Sequence, residues 1–446
     1  MHRDIETINC SHKAVSTAFP QPLPSLLHDP AKKLNRTMKS EPYDCLIAGA
    51  GPIGLAMANA LARRGISYCL CGLQPHDRPS SPDMRTACLF TGSIRFLKSL
   101  GAWPALAARA APLAGIRIVD ATGHLLRAPE QLFSAADLGL ACLGYNIANP
   151  DLVRALLEHL LKDNPSHSHG HSRTRHDIGA TITDIEIGPD AVTVLLDDGT
   201  RRRARLLIAA DGRRSLARRA ASIPVRTWSH DQAAITAHFT HSLSHDDIST
   251  EIHTRAGPCT IVPFGENRSS LVWIMRPADA DRLSASGDGD FIAALENQLQ
   301  GVVGPVTSTT PRRVFPLSSL IAARFAANRT ALVGEAAHAF PPIGAQGLNL
   351  GLRDAADLFD HIAIAITDGR DPGSEAVLAA YSAARHGDIG ARTWGVDAMN
   401  ASLTGRTAGL LRGALLHATA LSPALRRTLI ARGTSPIRDW PSLMQT

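Results

Sequence analysis

The sequence predicts an α/β protein: one domain on a parallel sheet, a second that is mainly antiparallel sheet, and a helical C-terminus. Three observations predict it. An apolar run, Cys45–Ala48, opens into a glycine-rich turn and then a helical stretch. Two more apolar runs, Leu206–Ala209 and Ala331–Val333, each end on an acid beside a glycine, Asp211-Gly212 and Gly334-Glu335. Between those two runs lie the strand-like segments Ala233–Phe239, Thr260–Phe264 and Ser270–Met275.

Composition bounds the rest. A chain of 446 residues, 44% hydrophobic and 19% charged, is long and apolar enough for two or three domains with cores of their own. That balance excludes a disordered chain, a collagen-like fibre and a disulfide scaffold. No run of about 18 uninterrupted apolar residues occurs, so no membrane-spanning helix is expected. Seven cysteines are scattered, and the closest two, Cys69 and Cys71, lack CxxC spacing. They read as reduced thiols in a cytoplasm, without a metal site.

The net charge of +6 comes mostly from arginine. Only six of the 46 basic residues are lysine, and Lys13, Lys32 and Lys33 all precede residue 38. The opening 37 residues therefore look foreign to the rest. With Pro20, Pro22, Pro24 and Pro30 and no apolar core before a cleavage site, residues 1–40 read as a disordered extension, with Met38 as the expected start.

The first motif is Gly49, Gly51 and Gly54 in GAGPIG. Gly49 allows the tight turn, Gly51 lets backbone approach a pyrophosphate, and Gly54 lets helix lie close to sheet. The helix runs to about Arg64, and Gly65 caps it. Its N-terminal N–H groups and dipole favour phosphate. A GxGxxG alone is weak, but with a strand before, a helix after and a second strand at Ile66–Leu70 it specifies a Rossmann-like dinucleotide site. The acid that normally follows that second strand to bind the adenosine ribose is missing. Gly72 stands there, leaving Gln74 or backbone to do its work.

Asp211-Gly212 alone would be an ordinary turn, but it closes an apolar strand at the edge where open α/β sheets bind ligands. Residues 331–354, ALVGEAAHAFPPIGAQGLNLGLRD, carry a strand to Glu335, then a Pro- and Gly-rich loop, then a helix from near Gly347. That helix start also offers N–H groups to an anion. Pro341-Pro342 makes a rigid wall with no donors.

Together these three motifs resemble those of the flavin-dependent aromatic hydroxylases of the p-hydroxybenzoate hydroxylase fold, in the same order from about residue 42 to 400. Within that group, Pro342–Asp354 is similar to the signature of the ubiquinone-biosynthesis hydroxylases. Asp83–Trp103, Tyr145–Leu157 and Gly257–Phe264 resemble the same subfamily.

The resemblance implies FAD, with Gly49, Gly51 and Gly54 on its pyrophosphate and Arg85 near its phosphates or ribose. Asn149 would touch the cofactor, and Asp211 and Gly212 would form the motif the family uses for FAD and NAD(P)H. Gly334 and Glu335 would meet the ribityl chain, and Pro342 would line the flavin face. Gly347, Leu348 and Asn349 would offer N–H groups to flavin N1 and O2, where reduction gathers negative charge. His338 is a candidate general base, with a structural role in a tight loop as the favoured alternative. Three residues depart from the family pattern: Glu335 for Asp, Pro341 for His, and Gly72 for the ribose acid.

The implied reaction is monooxygenation. NAD(P)H reduces the flavin, O2 adds at C4a, and the hydroperoxide's distal oxygen attacks an electron-rich ring. The implied substrate is a polyprenylated phenol of ubiquinone biosynthesis, met at a membrane surface, with a quinone-biosynthesis complex as a possible partner. The expected location is cytoplasmic, peripheral on the inner membrane. A hydroxylase of a soluble aromatic, a prenyl-chain reductase and a non-catalytic flavoprotein scaffold stay open.

The implied FAD domain comprises 42–111, 145–222 and 316–400, the substrate domain 112–144 and 223–315, and a helical segment 401–446. Within it, Ala401–Gly433 reads as two helices broken near Pro423, with Leu410, Leu411, Leu415 and Leu416 on one side and Arg406, Arg412, Arg426, Arg427 and Arg432 supplying charge. It suits a membrane surface or a packed bundle equally. The alternating His167, His169 and His171 have no carboxylate or cysteine nearby and, with the run to His176, read as a solvated loop. Arg201–Arg203 and Arg205 read as a solvated edge. No aromatic interleaving accompanies them, so nucleic acid is not an expected partner.

Overall fold

The computed structural model describes residues 41–73, 83–123, 129–162, 173–342, 344 and 346–404, then 417, 419, 422, 424–428 and 439–445. The chain divides between Glu41 and Pro42, and the second unit, Pro42–Thr446, holds every element below. Residues 1–40, Gln74, His167, His169, His171, Pro423, the four leucines from Leu410 to Leu416, and Arg406, Arg412 and Arg432 lie outside the described residues.

In chain order the first elements are β1 (Tyr43–Ala48), α1 (Pro52–Arg64), β2 (Tyr68–Gly72), β3 (Thr86–Phe90), α2 (Thr91–Ser99), α3 (Trp103–Ala107), β4 (Ala111–Leu113), β5 (Gly115–Asp120), β6 (Gln131–Ser134), β7 (Gly144–Ala148) and α4 (Asn149–Lys162). The middle of the chain adds β8 (Thr174–Ile178), β9 (Ile182–Ile187), β10 (Val192–Leu196), β11 (Arg201–Ala209), α5 (Leu216–Ala220), β12 (Val225–His241), β13 (Ile248–His253), β14 (Pro258–Pro263) and β15 (Arg268–Met275). It closes with α6 (Pro277–Ala285), α7 (Asp288–Leu299), β16 (Val306–Thr309), β17 (Arg313–Ala322), β18 (Ala326–Ala327), β19 (Thr330–Leu332), β20 (His338–Ala339), α8 (Gln346–Thr367) and α9 (Glu375–Thr404).

An eight-stranded sheet has the path β18-β19-β11-β1-β2-β8, with β10 and β9 branching from β11. Its centre is parallel: β1 pairs with β2 and β11, and β11 with β19. The apolar runs of β1 and β11 are buried on both faces because helices cover the sheet. Among these, α1 packs against α4 and α8. A nine-stranded sheet runs β20-β17-β12-β15-β14-β13-β5-β6, with β16 beside β12. It is antiparallel except where β13 meets β5. One face of it makes an apolar cluster with α7, through Ile235, Phe239, Phe291 and Leu295. The short sheet β3-β7-β4 is antiparallel.

Several expectations shift. The second strand starts at Tyr68, not Ile66, because the Ile66 N–H closes the end of α1 by donating to the Leu61 carbonyl. The last run forms Thr330–Leu332. The tail of the histidine tract is not loop: His176 lies in β8, and its Nε2 is 2.8 Å from the Tyr68 hydroxyl. Within the arginine run only Arg201 and Arg203 are exposed. Arg202 pairs with Asp177 at 2.6 Å, and Arg205 lies 3.4 Å from both Asp44 and Asp371. Beyond residue 400, α9 continues unbroken to Thr404, so 400/401 is not an element boundary. Residues 439–445 form a strap whose one regular element is a 3-10 turn at Ser442–Met444. Pro441, with no N–H to donate, suits such a break.

Candidate functional site

The glycine turn is tight because three backbones meet there. A Cβ on Gly49, whose φ is +113°, would strike the Ala210 carbonyl, and one on Gly54 would strike the Gly49 carbonyl. Gly51 differs: a Cβ there would meet nothing within 4 Å. Space therefore opens directly above the N-terminus of α1. That N-terminus has no side-chain cap and no acid in its first turn. Uncapped N–H groups and the positive end of the helix dipole face that space.

Gly72 is more than a missing acid. It is the last residue of β2, and a Cβ there would lie 2.5 Å from the Ala50 nitrogen and 2.9 Å from Gly49 Cα. No side chain fits at this point without moving the glycine turn, so this chain has exchanged the acid for closer backbone packing.

The second motif lies beside the first. Ala210 donates to the Ala48 carbonyl, which places Asp211 next to the glycine turn. Asp211 Oδ2 accepts from Ala217 N at 3.1 Å and so holds α5. Its Oδ1 is buried and has no partner. Gly212, at φ +78°, turns the chain away.

The third motif reaches the same place from the other side. Gly334 adopts φ +60°, and a Cβ on it would press on Ile53 in the first turn of α1. Glu335 follows in a short tight turn and is exposed. That turn is held from behind. Asp354 Oδ2 accepts from Gly334 N at 2.8 Å and from His338 Nε2 at 2.7 Å, and its Oδ1 accepts from Arg385 Nε at 2.8 Å. Burial would lift this carboxyl, but His338 and Arg385 outweigh it and hold Asp354 below the usual carboxylate range. His338 is 2% exposed and its Nε2 is committed to Asp354, so the ring acts as a latch on the turn. Its Nδ1 is buried without a partner.

Arg85 and Asn149 are joined through Asp83. Arg85 binds it in a fork, Nε to Oδ1 at 2.8 Å and Nη2 to Oδ2 at 2.9 Å. Burial would lift the Asp83 carboxyl, but Arg85 outweighs it and holds it low. Arg85 also senses the charge of Glu335, so these two motifs face each other. Asn149 heads α4 and its Oδ1 is buried without a partner.

Gly347 and Leu348 sit in the first turn of α8, where N–H groups have no acceptor one turn back in the helix. Asn349 does something its motif did not announce. Its Oδ1 accepts from Phe90 N at 2.9 Å and Ser93 Oγ at 2.7 Å, and its Nδ2 donates to the Cys88 carbonyl at 2.8 Å. It clamps α8 to β3 and α2. Pro342 is exposed at the head of the loop, and Pro341 is buried. Sequence reading missed Asp83 and Asp354 as site residues. Asp83 opens one quoted motif and Asp354 closes another, and an acid two residues before Arg85 was an available signal for the first.

The arrangement suits an elongated ligand with a diphosphate. An open cradle at α1, two orphaned buried acceptors on Asp211 and Asn149, and an exposed acid at Glu335 offer contacts for phosphates and hydroxyls. The FAD binding domain family matches residues 42–392. Ubiquinone hydroxylase UbiL of Rhodospirillum rubrum is 35% identical over 348 residues, 77% of this chain and 78% of its own. The chain belongs to the flavin-dependent ubiquinone-hydroxylase family. The 3-demethoxyubiquinol 3-hydroxylase of Escherichia coli is 30% identical to this hydroxylase, covering 79% of this chain and 87% of its own. The solved p-nitrophenol 4-monooxygenase PnpA of Pseudomonas putida shares the fold, with TM-score 0.71 and 18% identity over 89% of this chain and 99% of that one. This hydroxylase is an FAD-dependent monooxygenase.

Proposed function

We propose that this hydroxylase adds oxygen to the aromatic ring of a polyprenylated phenol on the route to ubiquinone, with NAD(P)H and O2. The observation that carries it is the gathering of the α1 N-terminus, Asp211 and the Gly334-Glu335 turn around one glycine turn, in a chain 35% identical to a ubiquinone hydroxylase. Bound FAD, reduced by NAD(P)H, supplies the oxygen-transfer chemistry.

The chain's residues bind and orient. The uncapped N–H groups above Gly51 take the diphosphate, with Arg85 adding charge that Asp83 holds in place. Glu335 accepts from ribityl hydroxyls, and its extra methylene over Asp is accommodated by its exposure. Asp211 Oδ1 and Asn149 Oδ1 accept from further hydroxyl or N–H groups. Gly347 and Leu348 present N–H groups to the ring edge that gains negative charge on reduction. Pro342 borders the reacting face without competing as a donor. A dry site strengthens each of these contacts.

The segments 42–111, 145–222 and 316–400 serve FAD, and 112–144 with 223–315 serve the substrate. The enzyme works in the cytoplasm at the inner-membrane surface, beside other quinone-synthesis proteins. No helix among the described residues is long and apolar enough to cross a membrane, which fits a lipid-tailed substrate met at the surface. Quinone profiling of a deletion strain tests the function: an accumulating precursor that lacks one ring oxygen is expected. An unchanged quinone profile, or a purified protein that takes up no FAD, overturns it.

A further inference from the structure

The nine-stranded sheet has a second face, opposite α7, and it is not uniformly apolar. Side chains alternate along β12, so Ala234, Thr236 and His238 share that face. Ala234 packs with Ile274, Leu317 and Phe340. Phe340 immediately precedes Pro341-Pro342, so this end of the face adjoins the loop proposed to border the flavin. Thr236 and His238 follow at about 7 and 13 Å along the strand. They are 8% and 5% exposed, and neither Thr236 Oγ1 nor His238 Nε2 has a hydrogen-bond partner among the described residues.

The surroundings explain why nothing among the described residues satisfies them. The His238 ring packs tilted against Phe264, with centroids 4.3 Å apart and planes 44° apart, and Arg268 covers Phe264 in turn at 5.1 Å. Directly opposite His238 on β15, Ser270 is already engaged by Thr86 at 2.9 Å and by Asn146 at 3.3 Å. Asn146 Oδ1 is itself buried and unpartnered. Burial, and then the Arg268 charge, push His238 below the usual histidine range and so favour the neutral imidazole, with a hydrogen bond to the Met84 backbone pulling the other way. A neutral imidazole has one nitrogen free to accept. Buried polar atoms left unpaired are costly, so a row of them on one face marks a place where a ligand supplies the partner.

We infer that Thr236 and His238 form the hydroxyl-reading end of the substrate site, with His238 Nε2 accepting from the ring O–H and Thr236 Oγ1 donating to the same oxygen. This inference rests on the proposed function and adds to it the residues that select a free phenol over its ether. It also orients the ring: a hydroxyl held at His238 turns the rest of the ring toward Phe340 and the loop at Pro342. Both residues are positioning groups.

The test uses the FAD-loaded full chain, a phenol bearing a short ortho-prenyl group, and the methyl ether of the same compound. Binding is read from the change each causes in the flavin absorption band. The wild type is expected to bind the phenol about tenfold or more tighter than the ether, the value of one or two hydrogen bonds. His238→Phe keeps an aromatic ring on Phe264 but loses the acceptor, and it is expected to erase that preference while FAD content stays unchanged. His238→Gln restores an acceptor and part of the preference, and Thr236→Val, equal in shape, reduces it. His238→Phe and Thr236→Val that both keep the full preference overturn the inference. If His238→Phe loses FAD, Thr236→Val decides alone. A wild type that loads FAD but responds to neither compound overturns the proposed substrate class instead.

Discussion

Gly51 and Gly54 look alike in GxGxxG and differ in what surrounds them. A methyl on Gly54 meets the Gly49 carbonyl, whereas one on Gly51 meets open space. Gly54→Ala is therefore expected to lower the melting temperature. Gly51→Ala is expected to leave it unchanged in the FAD-free protein and to cut the flavin-to-protein ratio, because only the ligand needs that space. Equal melting losses in the two variants would overturn the distinction. Asp354 was legible as part of a motif but not as its anchor, since its partners, His338 and Arg385, are brought to it only by folding. Asp354→Asn leaves Arg385 partly unpaired in the interior and is expected to cost about 3–5 kcal/mol at pH 7. Because the folded state holds this carboxyl below its unfolded value near 3.9, its stabilisation is complete above about pH 4 and fades as pH falls further. Melting curves at pH 7 and pH 3 should show the gap between wild type and variant narrow on acidification.

At the scale of elements, the glycine-rich turn and its flanking strand and helix were legible because all their causes are local: apolar run, Pro52 in the first turn, Gly65 in the left-handed region. The strap at 439–445 was not, because what shapes it is distant in sequence. Trp440 lies on Gly92 of α2, stacked under Arg353 of α8 at 5.4 Å, and Ser442 N donates to Asp360 at 2.8 Å. Met444 is buried at the same junction. The strap therefore braces α2 and α8, the helices that Asn349 also joins. A methyl on Gly92 would enter the Trp440 ring, so Gly92→Ala is expected to destabilise by about 1–3 kcal/mol through overpacking. Trp440→Ala removes the clash, so the double variant should cost less than the two single losses added. Strict additivity, measured by denaturant titration, would show that the strap does not rest on Gly92.

Over the whole molecule, the antiparallel sheet was legible as strand-like runs, yet its membership was not. The strand β5 reaches β13 across more than a hundred residues, and β17 and β20 join it from the far end of the chain. The boundary proposed at 315/316 lies within β17, which pairs with β12 along most of its length. Alternation reveals a strand's faces but not its neighbours, because pairing is decided by loop closure and packing across the fold. The N-terminal boundary is a different matter, since it was read from composition. Three of the six lysines precede residue 38, the unit boundary falls at Glu41, β1 begins at Tyr43, and the family match begins at residue 42. None of the residues proposed to cradle the cofactor precedes Gly49. Removing residues 2–37 is accordingly expected to leave flavin content, melting temperature and phenol-dependent O2 uptake within about twofold of the full chain, a change below about 0.5 kcal/mol, as for surface changes away from packed features. A larger loss of bound flavin on truncation would mean that the lysine-bearing segment takes part in the cofactor fold after all.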